Sequence, residues 1–344
     1  MGETVLVAGG SGYAGALAAR ILHRHPHFEL AAVTSRSDVG VPLSDLYPHH
    51  RVPMVLEELD LDRHADVDAA IVGYPHAASA PLVAELRRRG VRVIDLSADF
   101  RLRDRATYEQ WYGEHQAPEL FGRGVYGLPE RYREQIADAD LVAGPGCFPT
   151  AAILGVAPLG GDGLVADVVI DAKSGVSGAG RKLQDSTHFV AADENVTPYG
   201  VGRHRHMPEI DQELHAAGAP RHLRVTFTPH LLPLDQGELL SCYVTTTRRV
   251  SQSELEERYA AVYADEPFVE LTDGSPGVRD VRDTNLCRIK VHSEARTGKV
   301  HVFAAIDNLW KGTSSQAVQS LNLMFGRPET EGLGPVAQPA GVVA

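Results

Sequence analysis

The sequence contains little cysteine, and its few cysteines are not spaced for disulfides or zinc. Its 344 residues include only Cys147, Cys242 and Cys287. An odd number of cysteines without a Cys-x-x-Cys spacing argues against a disulfide framework and against a cysteine-based zinc site. Such a composition suits a reducing compartment, so we expect a cytoplasmic protein.

Basic charge and long apolar runs are also scarce. The chain has 33 basic and 45 acidic residues, a formal net charge of −12, which argues against broad binding to nucleic acid or anionic membranes. No uninterrupted apolar stretch approaches membrane-spanning length, and the first residues lack the pattern of a secretory leader. We therefore expect a protein that binds neither nucleic acid nor membrane, and that holds any anionic ligand with local arginine or lysine.

The first half of the chain alternates short apolar runs with helical patterns. Residues 4–8 are predicted as a buried strand, and the apolar residues of 17–22 then recur at helical spacing. Further strands are predicted at residues 28–34, 69–74, 91–96 and 140–143, with a helix at residues 80–89. This alternation predicts an α/β fold, with a Rossmann-type dinucleotide-binding domain on a parallel sheet over residues 1–147.

After Cys147 the predicted strands are longer and several alternate in polarity. They cover residues 168–172, 223–228, 239–247, 286–292 and 300–306. This pattern indicates a mostly antiparallel sheet in an α+β substrate and dimerisation domain, residues 148–312. Because that sheet offers a surface for pairing, we expect a homo-oligomer, either a dimer or a tetramer.

Local signals mark two helices in the second half of the chain. Ser251 and Glu254 match a capping box ahead of a helix over residues 255–263. A last helix, residues 313–326, is predicted to return to the first domain. We expect the Gly- and Pro-rich tail from Gly326 to be loosely held.

A glycine-rich turn follows the first predicted strand and opens the first helix. Its spacing is Gly9-x-x-Gly12-x-x-Gly15 rather than the commoner G-x-G-x-x-G. Such glycines let the backbone approach a pyrophosphate, and a helix N-terminus favours its negative charge. The residues expected to contact the dinucleotide are Gly9, Ser11, Gly12, Tyr13, Ala14 and Gly15.

The end of the second predicted strand discriminates between NAD and NADP. An acidic residue there usually binds the ribose 2′-OH of NAD, whereas this chain has Ser35, Arg36 and Ser37 after Thr34. Hydroxyls and a guanidinium favour NADP(H), with these three residues as its ligands; the alternative for Arg36 is a solvated surface residue.

One cysteine stands at the predicted start of a helix. Cys147 lies in Val-Ala-Gly-Pro-Gly-Cys-Phe-Pro-Thr, residues 142–150, where a turn runs into an apolar helical pattern. The unpaired N–H groups and the dipole at a helix N-terminus favour a thiolate. Cys147 is therefore the candidate nucleophile, with a buried, inert cysteine as the alternative.

Nucleophilic cysteine chemistry needs an acid/base partner, usually histidine. The densest cluster is Gly-Arg-His-Arg-His-Met-Pro-Glu at residues 202–209, where Glu209 is placed to orient His206 from the following helical turn; a solvated loop is the alternative. Two other histidine groups lack carboxylate or cysteine partners at ligand spacing, so we expect exposed loops and no bound metal. These are His23, His25 and His27, and His49 with His50.

Together these segments resemble the N-acetyl-gamma-glutamyl-phosphate reductases, the NADP-dependent enzymes of arginine biosynthesis. The most specific segment is residues 142–158, which is similar to the active-site signature of that family throughout, and the resemblance covers nearly the whole chain. Further segments typical of the family are Asp-Leu-Ser-Ala-Asp-Phe-Arg at 95–101, Tyr-Gly-Leu-Pro-Glu at 126–130, Ser-Gly-Val-Ser-Gly-Ala-Gly-Arg at 174–181, His-Arg-His-Met-Pro-Glu-Ile at 204–210 and Asp-Asn-Leu-Trp-Lys-Gly at 307–312.

The resemblance implies a role for each candidate residue. Cys147 is the nucleophile, His206 the acid/base with His204 as its rival, and Glu209 the residue that orients the imidazole. The loop of residues 174–181 closes on the cofactor, and an amide hydrogen-bonds the nicotinamide carboxamide. The loop residues are Ser177 and Gly178, and the amide is that of Asn308. The candidates for the substrate phosphate and carboxylate are Arg101 and Arg181, with surface ion pairing as the alternative.

The implied reaction is reduction of N-acetyl-L-glutamyl 5-phosphate to N-acetyl-L-glutamate 5-semialdehyde, with release of phosphate, through a thioester on Cys147. Two related activities stay open: aspartate-semialdehyde dehydrogenase, and the lysine-pathway reductase of an N-acyl-aminoadipyl phosphate, whose substrate is one methylene longer. From other classes, a Cys-His hydrolase and a non-catalytic NADP sensor stay open, although the dinucleotide loop argues against the hydrolase.

Overall fold

The computed structural model describes residues 2–337, and these residues divide into two compact units. The first unit contains the residues up to Gly146 together with Thr313–Gly334. The second contains Cys147–Gly312 and residues 335–337. Within the described residues, no helix has both the length and the apolar content to cross a membrane.

The first unit is built on a parallel sheet. Its strands are β1 (Glu3–Ala8), β2 (Phe28–Thr34), β3 (Ala69–Val72), β4 (Arg92–Asp95), β5 (Val125–Tyr126) and β6 (Leu141–Ala143). They pair in the order β2-β1-β3-β4-β6-β5, every pair parallel. Val5, Leu6 and Val7 are fully buried, as expected for a parallel sheet that is covered on both faces.

Helices follow the strands of the first unit. They are α1 (Tyr13–His23), α2 (Leu43–Leu46), α3 (Leu61–His64), α4 (Ser79–Arg88), α5 (Arg105–Tyr112) and α6 (Pro129–Ala137). In α4, Leu82, Val83 and Leu86 pack into the core with Val72 and Val93 of the sheet. The alternation of strand and helix confirms the predicted Rossmann-type fold.

The second unit is built on a mixed sheet. Its strands are β7 (Val165–Ser174), β8 (Thr197–Pro198), β9 (Thr226–Leu231), β10 (Glu238–Thr246), β11 (Val269–Leu271), β12 (Cys287–Ser293) and β13 (Val300–Ile306). Their order is β11-β12-β13-β10-β7-β9-β8, antiparallel except between β11 and β12 and between β7 and β9. The mostly antiparallel sheet predicted for this part of the chain is confirmed.

One face of this sheet is covered by helices. The helices of the unit are α7 (Cys147–Val156), α8 (Phe189–Ala192), α9 (Met207–Ala216) and α10 (Gln252–Tyr263). α7 is apolar all round and is buried from Phe148 to Val156. The hydroxyls of Tyr259 and Tyr263 on α10 donate to the carbonyls of Gly155 and Leu154 at 2.5 and 2.6 Å, which holds the end of α7 in place. The predicted cap is present, because the Ser251 side chain accepts from the N–H of Glu254.

The C-terminal part of the chain corrects one expectation. The last helix, α11 (Ser315–Met324), follows a π-helical turn and is part of the first unit. The segment after it is not loosely held as far as residue 334. Glu329 accepts hydrogen bonds from Arg133 at 2.9 Å and from Gln319 at 2.8 Å, and Leu333 is 1% exposed. These charged and apolar anchors outweigh the flexibility that Gly and Pro suggest; residues 338–344 lie outside the described part.

The expectation of exposed histidine loops is also partly wrong. His23, His27 and His49 are exposed, but His25 and His50 are each only 7% exposed. The Nδ1 atom of His25 accepts the N–H of Phe28 at 3.2 Å, and burial lowers the pKa of His50 to about 4. A neutral imidazole packs as an apolar ring with one satisfied nitrogen, which a count of nearby carboxylates does not predict. Among the described residues, no group of three or more His, Cys, Asp or Glu is arranged to hold a metal ion.

Candidate active site

The thiol of Cys147 lies at the start of a helix, as the sequence predicts. α7 begins at Cys147, and this cysteine is partly exposed. Cys242 and Cys287 are fully buried, and burial raises the pKa of the Cys242 thiol to about 12. Cys147 is therefore the cysteine that a substrate can reach, at a helix end where backbone N–H groups favour a thiolate.

A glycine packs directly against the nucleophile. A Cβ placed on Gly312 would lie 2.8 Å from the Cβ of Cys147. The N–H of Gly312 donates to the carbonyl of Asp307 at 2.9 Å, and the Asp307 carboxylate accepts the N–H groups of Leu309 and Asp283, each at 2.9 Å. The segment Asp-Asn-Leu-Trp-Lys-Gly thus forms a braced turn that brings a bare Cα against Cys147.

An acidic residue that sequence reasoning missed lies beside the thiol. Glu238 is the first residue of β10 and is fully buried. Burial raises the pKa of its carboxyl to about 8, against a lowering effect of the nearby Cys147 thiol and together with a smaller raising effect of the Asp307 carboxylate. The signal available in the sequence was a single acidic residue at the head of an apolar run, directly after Gly237.

Tyr199 is the second residue that the sequence did not indicate. Its side chain is 36% exposed, but its hydroxyl end is desolvated. That desolvation, followed by the charges of Cys147 and Glu238, raises the pKa of Tyr199 above its ordinary value. Its ring contacts the imidazole of His204, with centroids 5.6 Å apart. A phenol and a carboxyl therefore lie near the thiol, and the imidazole of His204 packs against the phenol ring.

The two candidate histidines lie together next to the helix of the nucleophile. The rings of His204 and His206 are 4.8 Å apart, and both contact the ring of Phe148, at 5.6 and 5.9 Å. The Nδ1 atom of His204 accepts the backbone N–H of His206 at 3.2 Å, so in the neutral ring the proton is on Nε2. Burial, and next the charge of Arg205, lowers the pKa of His204 to about 4. His204 is thus a neutral hydrogen-bond donor, whereas His206 occupies the residue position directly before α9.

Glu209 lies one turn into α9, three residues after His206. It is 1% exposed, in keeping with a residue that orients a neighbour rather than one that meets the substrate. Its assignment as the orienting carboxylate stays a prediction.

The structure brings together the predicted cofactor residues of the second unit. Asn308 is 2% exposed, its Oδ1 atom accepts the N–H of Gly237 at 2.7 Å, and its Nδ2 atom donates to Ser177 Oγ at 3.0 Å. A Cβ on Gly178 would lie 3.7 Å from Nδ2 of Asn308. Asn308 therefore joins the loop of residues 174–181 to the turn that precedes β10.

The two candidate arginines have different settings. Arg101 is 8% exposed, and its guanidinium donates to the carbonyls of Gly144 and Leu96 at 2.7 and 2.8 Å. Arg181 is exposed, directly after the turn Val176–Ala179 and Gly180. Arg101 thus supports the turn after β6, while a contact of Arg101 or Arg181 with the substrate stays a prediction.

The segment at residues 95–101 forms a buried polar network in the first unit. Asp95 accepts hydrogen bonds from the hydroxyls of Ser79 and Ser97. Asp99 accepts the N–H of Ala80 at 3.0 Å and the hydroxyl of Tyr108 at 2.7 Å. Burial raises the pKa of Asp95 to about 6. These carboxylates fasten the helix α4 and the segment before α5 to the end of β4.

The glycine-rich turn of the first unit has positions that only glycine suits. Gly9 has a φ of +91°, and a Cβ on Gly15 would lie 2.3 Å from the Gly9 carbonyl oxygen. The N–H groups of Gly9 and Gly10 donate to the carbonyl of Thr34 at 3.0 and 2.8 Å. Gly12 precedes α1, so a bare turn leads into a helix N-terminus, the geometry that accepts a pyrophosphate.

The hydroxyls near this turn are already connected. Ser11 Oγ and Ser35 Oγ are 2.8 Å apart, and Tyr47 donates to the carbonyl of Ser11 at 2.8 Å. Ser35 is 1% exposed, whereas Arg36 and Ser37 are exposed. The guanidinium of Arg36 lies 4.9 Å from the ring centroid of Tyr74. The remaining predicted contacts, Tyr13 and Ala14, are the first two residues of α1.

Comparisons with known proteins match both units. Residues 4–139 match the NAD binding domain of semialdehyde dehydrogenase, and residues 147–308 match the dimerisation domain of semialdehyde dehydrogenase. The N-acetyl-gamma-glutamyl-phosphate reductase of Desulforudis audaxviator is 49% identical over 335 residues, which cover 95% of this chain and 96% of that protein. The protein of the same name from Moorella thermoacetica is 48% identical with the same coverage.

Solved structures share the fold at low sequence identity. Aspartate semialdehyde dehydrogenase II from Vibrio cholerae, complexed with ASA, has a TM-score of 0.72 at 16% identity and covers 95% of this chain and 99% of that chain. The aspartate semialdehyde dehydrogenase of Candida albicans, with NADP, has a TM-score of 0.65 at 13% identity and covers 94% of this chain and 99% of that chain. At these identities the likeness establishes the fold alone.

Proposed function

We propose that this protein reduces N-acetyl-L-glutamyl 5-phosphate to N-acetyl-L-glutamate 5-semialdehyde and releases phosphate, a step of arginine biosynthesis. The chain belongs to the N-acetyl-gamma-glutamyl-phosphate reductase family. The observation that carries the proposal is the setting of Cys147. It is a partly exposed thiol at the start of α7, with Glu238 and Tyr199 beside it, in a chain whose other cysteines are fully buried. The expected cytoplasmic location belongs to the same proposal.

The residues of the second unit supply a covalent route. The Cys147 sulfur forms a bond to the acyl carbon, the carbon–oxygen bond to phosphate breaks, and a thioester remains on the enzyme. The nicotinamide cofactor, when bound, would supply the hydride for reduction of this thioester. The Cys147 sulfur then leaves as the semialdehyde is released. His206 gives a proton to the departing phosphate, His204 donates from Nε2, and the N–H groups at the start of α7 stabilise the oxyanion.

The glycine turn fits the cofactor. A Cβ on Gly15, in the first turn of α1, would collide with the backbone of Gly9, so only glycine lets the loop pack closely on the helix and present its backbone to a pyrophosphate. For NADP(H) rather than NAD(H), the support is Arg36 and Ser37, exposed at the end of β2. Asp38, which accepts a hydrogen bond from the hydroxyl of Ser37, places a carboxylate at this end of the strand as well, so the assay compares both dinucleotides. Ser177, Gly178 and Asn308 are proposed as further cofactor contacts.

An exposed arginine is the proposed ligand of the substrate's anionic groups. Arg181 is exposed at the end of its loop and is proposed to bind the phosphate or the carboxylate, since a planar guanidinium binds either in a bidentate manner. Arg101 is proposed as a positioning residue, because its donors are directed at two main-chain carbonyls.

A homo-oligomer is proposed through the second unit. α7 and α10 cover one face of its sheet. On the opposite face, Val169, Tyr243 and His301 are register partners across β7, β10 and β13, and all three are partly exposed. A continuous row with an apolar and two aromatic side chains on an uncovered face suits pairing with a second copy of the chain. The match of residues 147–308 to a dimerisation domain supports this assignment.

Turnover in the oxidative direction tests the function. Wild-type protein is expected to oxidise N-acetylglutamate semialdehyde only with phosphate present, faster than aspartate semialdehyde or the longer aminoadipate homologue, and faster with NADP than with NAD. Cys147→Ser should lose at least about a thousandfold in kcat, as expected when a nucleophile is removed. Cys242→Ala, which alters a buried cysteine, is the matched control and should keep its turnover.

Several outcomes would contradict the proposal. Near-normal turnover by Cys147→Ser would show that the reaction does not pass through a thioester on Cys147. Turnover without phosphate would favour a simple aldehyde dehydrogenase or a hydrolase. A preference for aspartate semialdehyde or for the longer homologue would assign the chain to the corresponding related activity.

A further inference from the structure

Glu238 is an unusual carboxyl for the interior of a protein. It opens β10, a central strand paired with β7 on one side and β13 on the other, where it stands opposite Ser174 and Ile306. It is 0% exposed, and within the described residues no N–H or O–H group donates to either of its carboxyl oxygens. A buried carboxyl without such donors destabilises a fold, and a central strand leaves it little freedom to move towards water.

The groups around Glu238 are acids rather than cations. α7 contributes the Cys147 thiol, which reaches the carboxyl, and the turn after β13 contributes the Asp307 carboxylate. The segment before α9 contributes Tyr199, and the charge of Glu238 is one of the causes that raise the pKa of its hydroxyl. The register partners on β7 and β13 do not titrate. The influences named on the Glu238 pKa are burial, the Cys147 thiol and the Asp307 carboxylate, so a negative charge on Glu238 would lie beside two acids.

The nearby imidazole of His204 is a poor partner for the thiol proton. Its Nδ1 atom is occupied by the N–H of His206, and burial lowers its pKa to about 4. Near neutral pH His204 therefore stays uncharged and offers only its Nε2–H. The carboxyl of Glu238 lies close enough to the Cys147 thiol for the thiol to affect its pKa, and with that pKa raised by burial to about 8 it retains a proton at the same pH.

We propose that Glu238 and Cys147 form a proton-sharing pair in which only one of the two carries a negative charge, and that protonated Glu238 donates its hydrogen bond to the sulfur whenever Cys147 is a thiolate. This inference rests on the proposed role of Cys147 as nucleophile. When the pair loses its first proton, the remaining one lies between carboxyl and sulfur. The thiolate attacks the acyl carbon with its electron pair, while Glu238 keeps its O–H bond.

The same hydrogen bond assists the release of product. When the semialdehyde forms, the sulfur–carbon bond breaks and its electron pair returns to the sulfur. The O–H of Glu238 then donates to that thiolate, so no proton has to enter the site at this step. Glu238 thus touches a reacting atom in both half-reactions and changes the energy of the thiolate state rather than the binding of substrate.

The pair is tested by alkylating Cys147 with iodoacetamide in the full-length protein, from pH 5 to pH 10, with mass spectrometry to locate the label. Wild-type protein should become reactive as the pH rises through about 8. A second step is expected more than about one pH unit higher, because the pair loses its protons in two coupled stages. Glu238→Asp should keep both steps.

Two further variants separate the charge from the hydrogen bond. Glu238→Gln keeps an N–H donor but cannot ionise, so it should keep the first step and lose the second. Glu238→Met has neither an N–H donor nor an ionisable group. The single alkylation step of Cys147 in this variant should therefore move up by about one pH unit. Its kcat should fall by roughly tenfold to a hundredfold, with KM nearly unchanged. Glu213→Gln, which alters another fully buried carboxyl on α9, should leave both steps in place.

A single step in the wild-type protein, or the same profile in wild type, Glu238→Gln and Glu238→Met, would overturn the inference. The wild-type profile decides the matter even if a variant fails to fold. Because alkylation needs neither substrate nor cofactor, a failure of the proposed reaction would leave the two-step profile intact, whereas failure of the pair would leave the turnover of wild-type protein intact.

Discussion

At the scale of single residues, the site depends on what is small as much as on what is reactive. Gly312 has its Cα beside Cys147, and the turn that carries it is held by the hydrogen bonds of Asp307. The sulfur therefore keeps its place because a side chain is missing. The nearest backbone is close enough that the addition of one methyl group would displace the nucleophile.

Gly312→Ala tests this packing. Because the new Cβ would lie 2.8 Å from the Cβ of Cys147, the thiol has to shift, and kcat should fall by roughly tenfold to a hundredfold, the cost of a small misplacement of a reacting group. Steady-state kinetics measures this effect. Gly161→Ala is the matched control, since nothing lies within 4 Å of a Cβ there, and should behave as wild type. Equal kcat in both variants would show that the contact does not position the sulfur.

At the scale of elements, strand ends carry most of the chemistry and are also where the patterns were least accurate. The strand predicted at residues 223–228 is in fact β9, Thr226–Leu231, because its register is set by pairing with β7 and includes Pro229 and His230. Its apolar pattern alone favours the earlier residues. By contrast, the bounds of β2 and β13 match the predictions, since in both the buried run coincides with the paired run.

The turn after β6 gives a prediction at this scale. Arg101→Met would leave the carbonyls of Gly144 and Leu96 without their donors. Each such loss costs about 1 to 3 kcal/mol, so the free energy of unfolding should fall by about 2 kcal/mol or more in urea titration. Arg103→Met, at an exposed position two residues along, should change it little. Wild-type stability together with a raised KM for the acyl phosphate would instead place Arg101 on the substrate.

At the scale of the whole molecule, one face of the sheet in the second unit carries a row of partly exposed side chains. The row of Val169, Tyr243 and His301 crosses three strands of that face. The mass of the protein in solution should accordingly be at least twice the 37.1 kDa of one chain.

Tyr243→Asp should reduce that mass to a single chain in size-exclusion chromatography with light scattering, because an unpaired carboxylate would be buried at the interface. Val262→Asp is the control, because Val262 lies on α10 and is 47% exposed; it should keep the wild-type mass. Retention of the full mass by Tyr243→Asp would assign the interface to another surface.

Local patterns in the sequence were enough for several features of this protein. They determined the strand, turn and helix of the cofactor loop, the start of α7 at Cys147 and the cap at Ser251, because each depends on neighbouring residues and on backbone conformation. Only the tertiary structure decided which groups lie near the thiol of Cys147. Glu238 comes from a strand 91 positions away and Gly312 from a turn farther still, and the burial that gives each its effect is a property of packing. The same holds for Arg101, which the sequence suggests as a substrate ligand, because its burial and its hydrogen bonds to two main-chain carbonyls follow from β4 and β6 lying side by side.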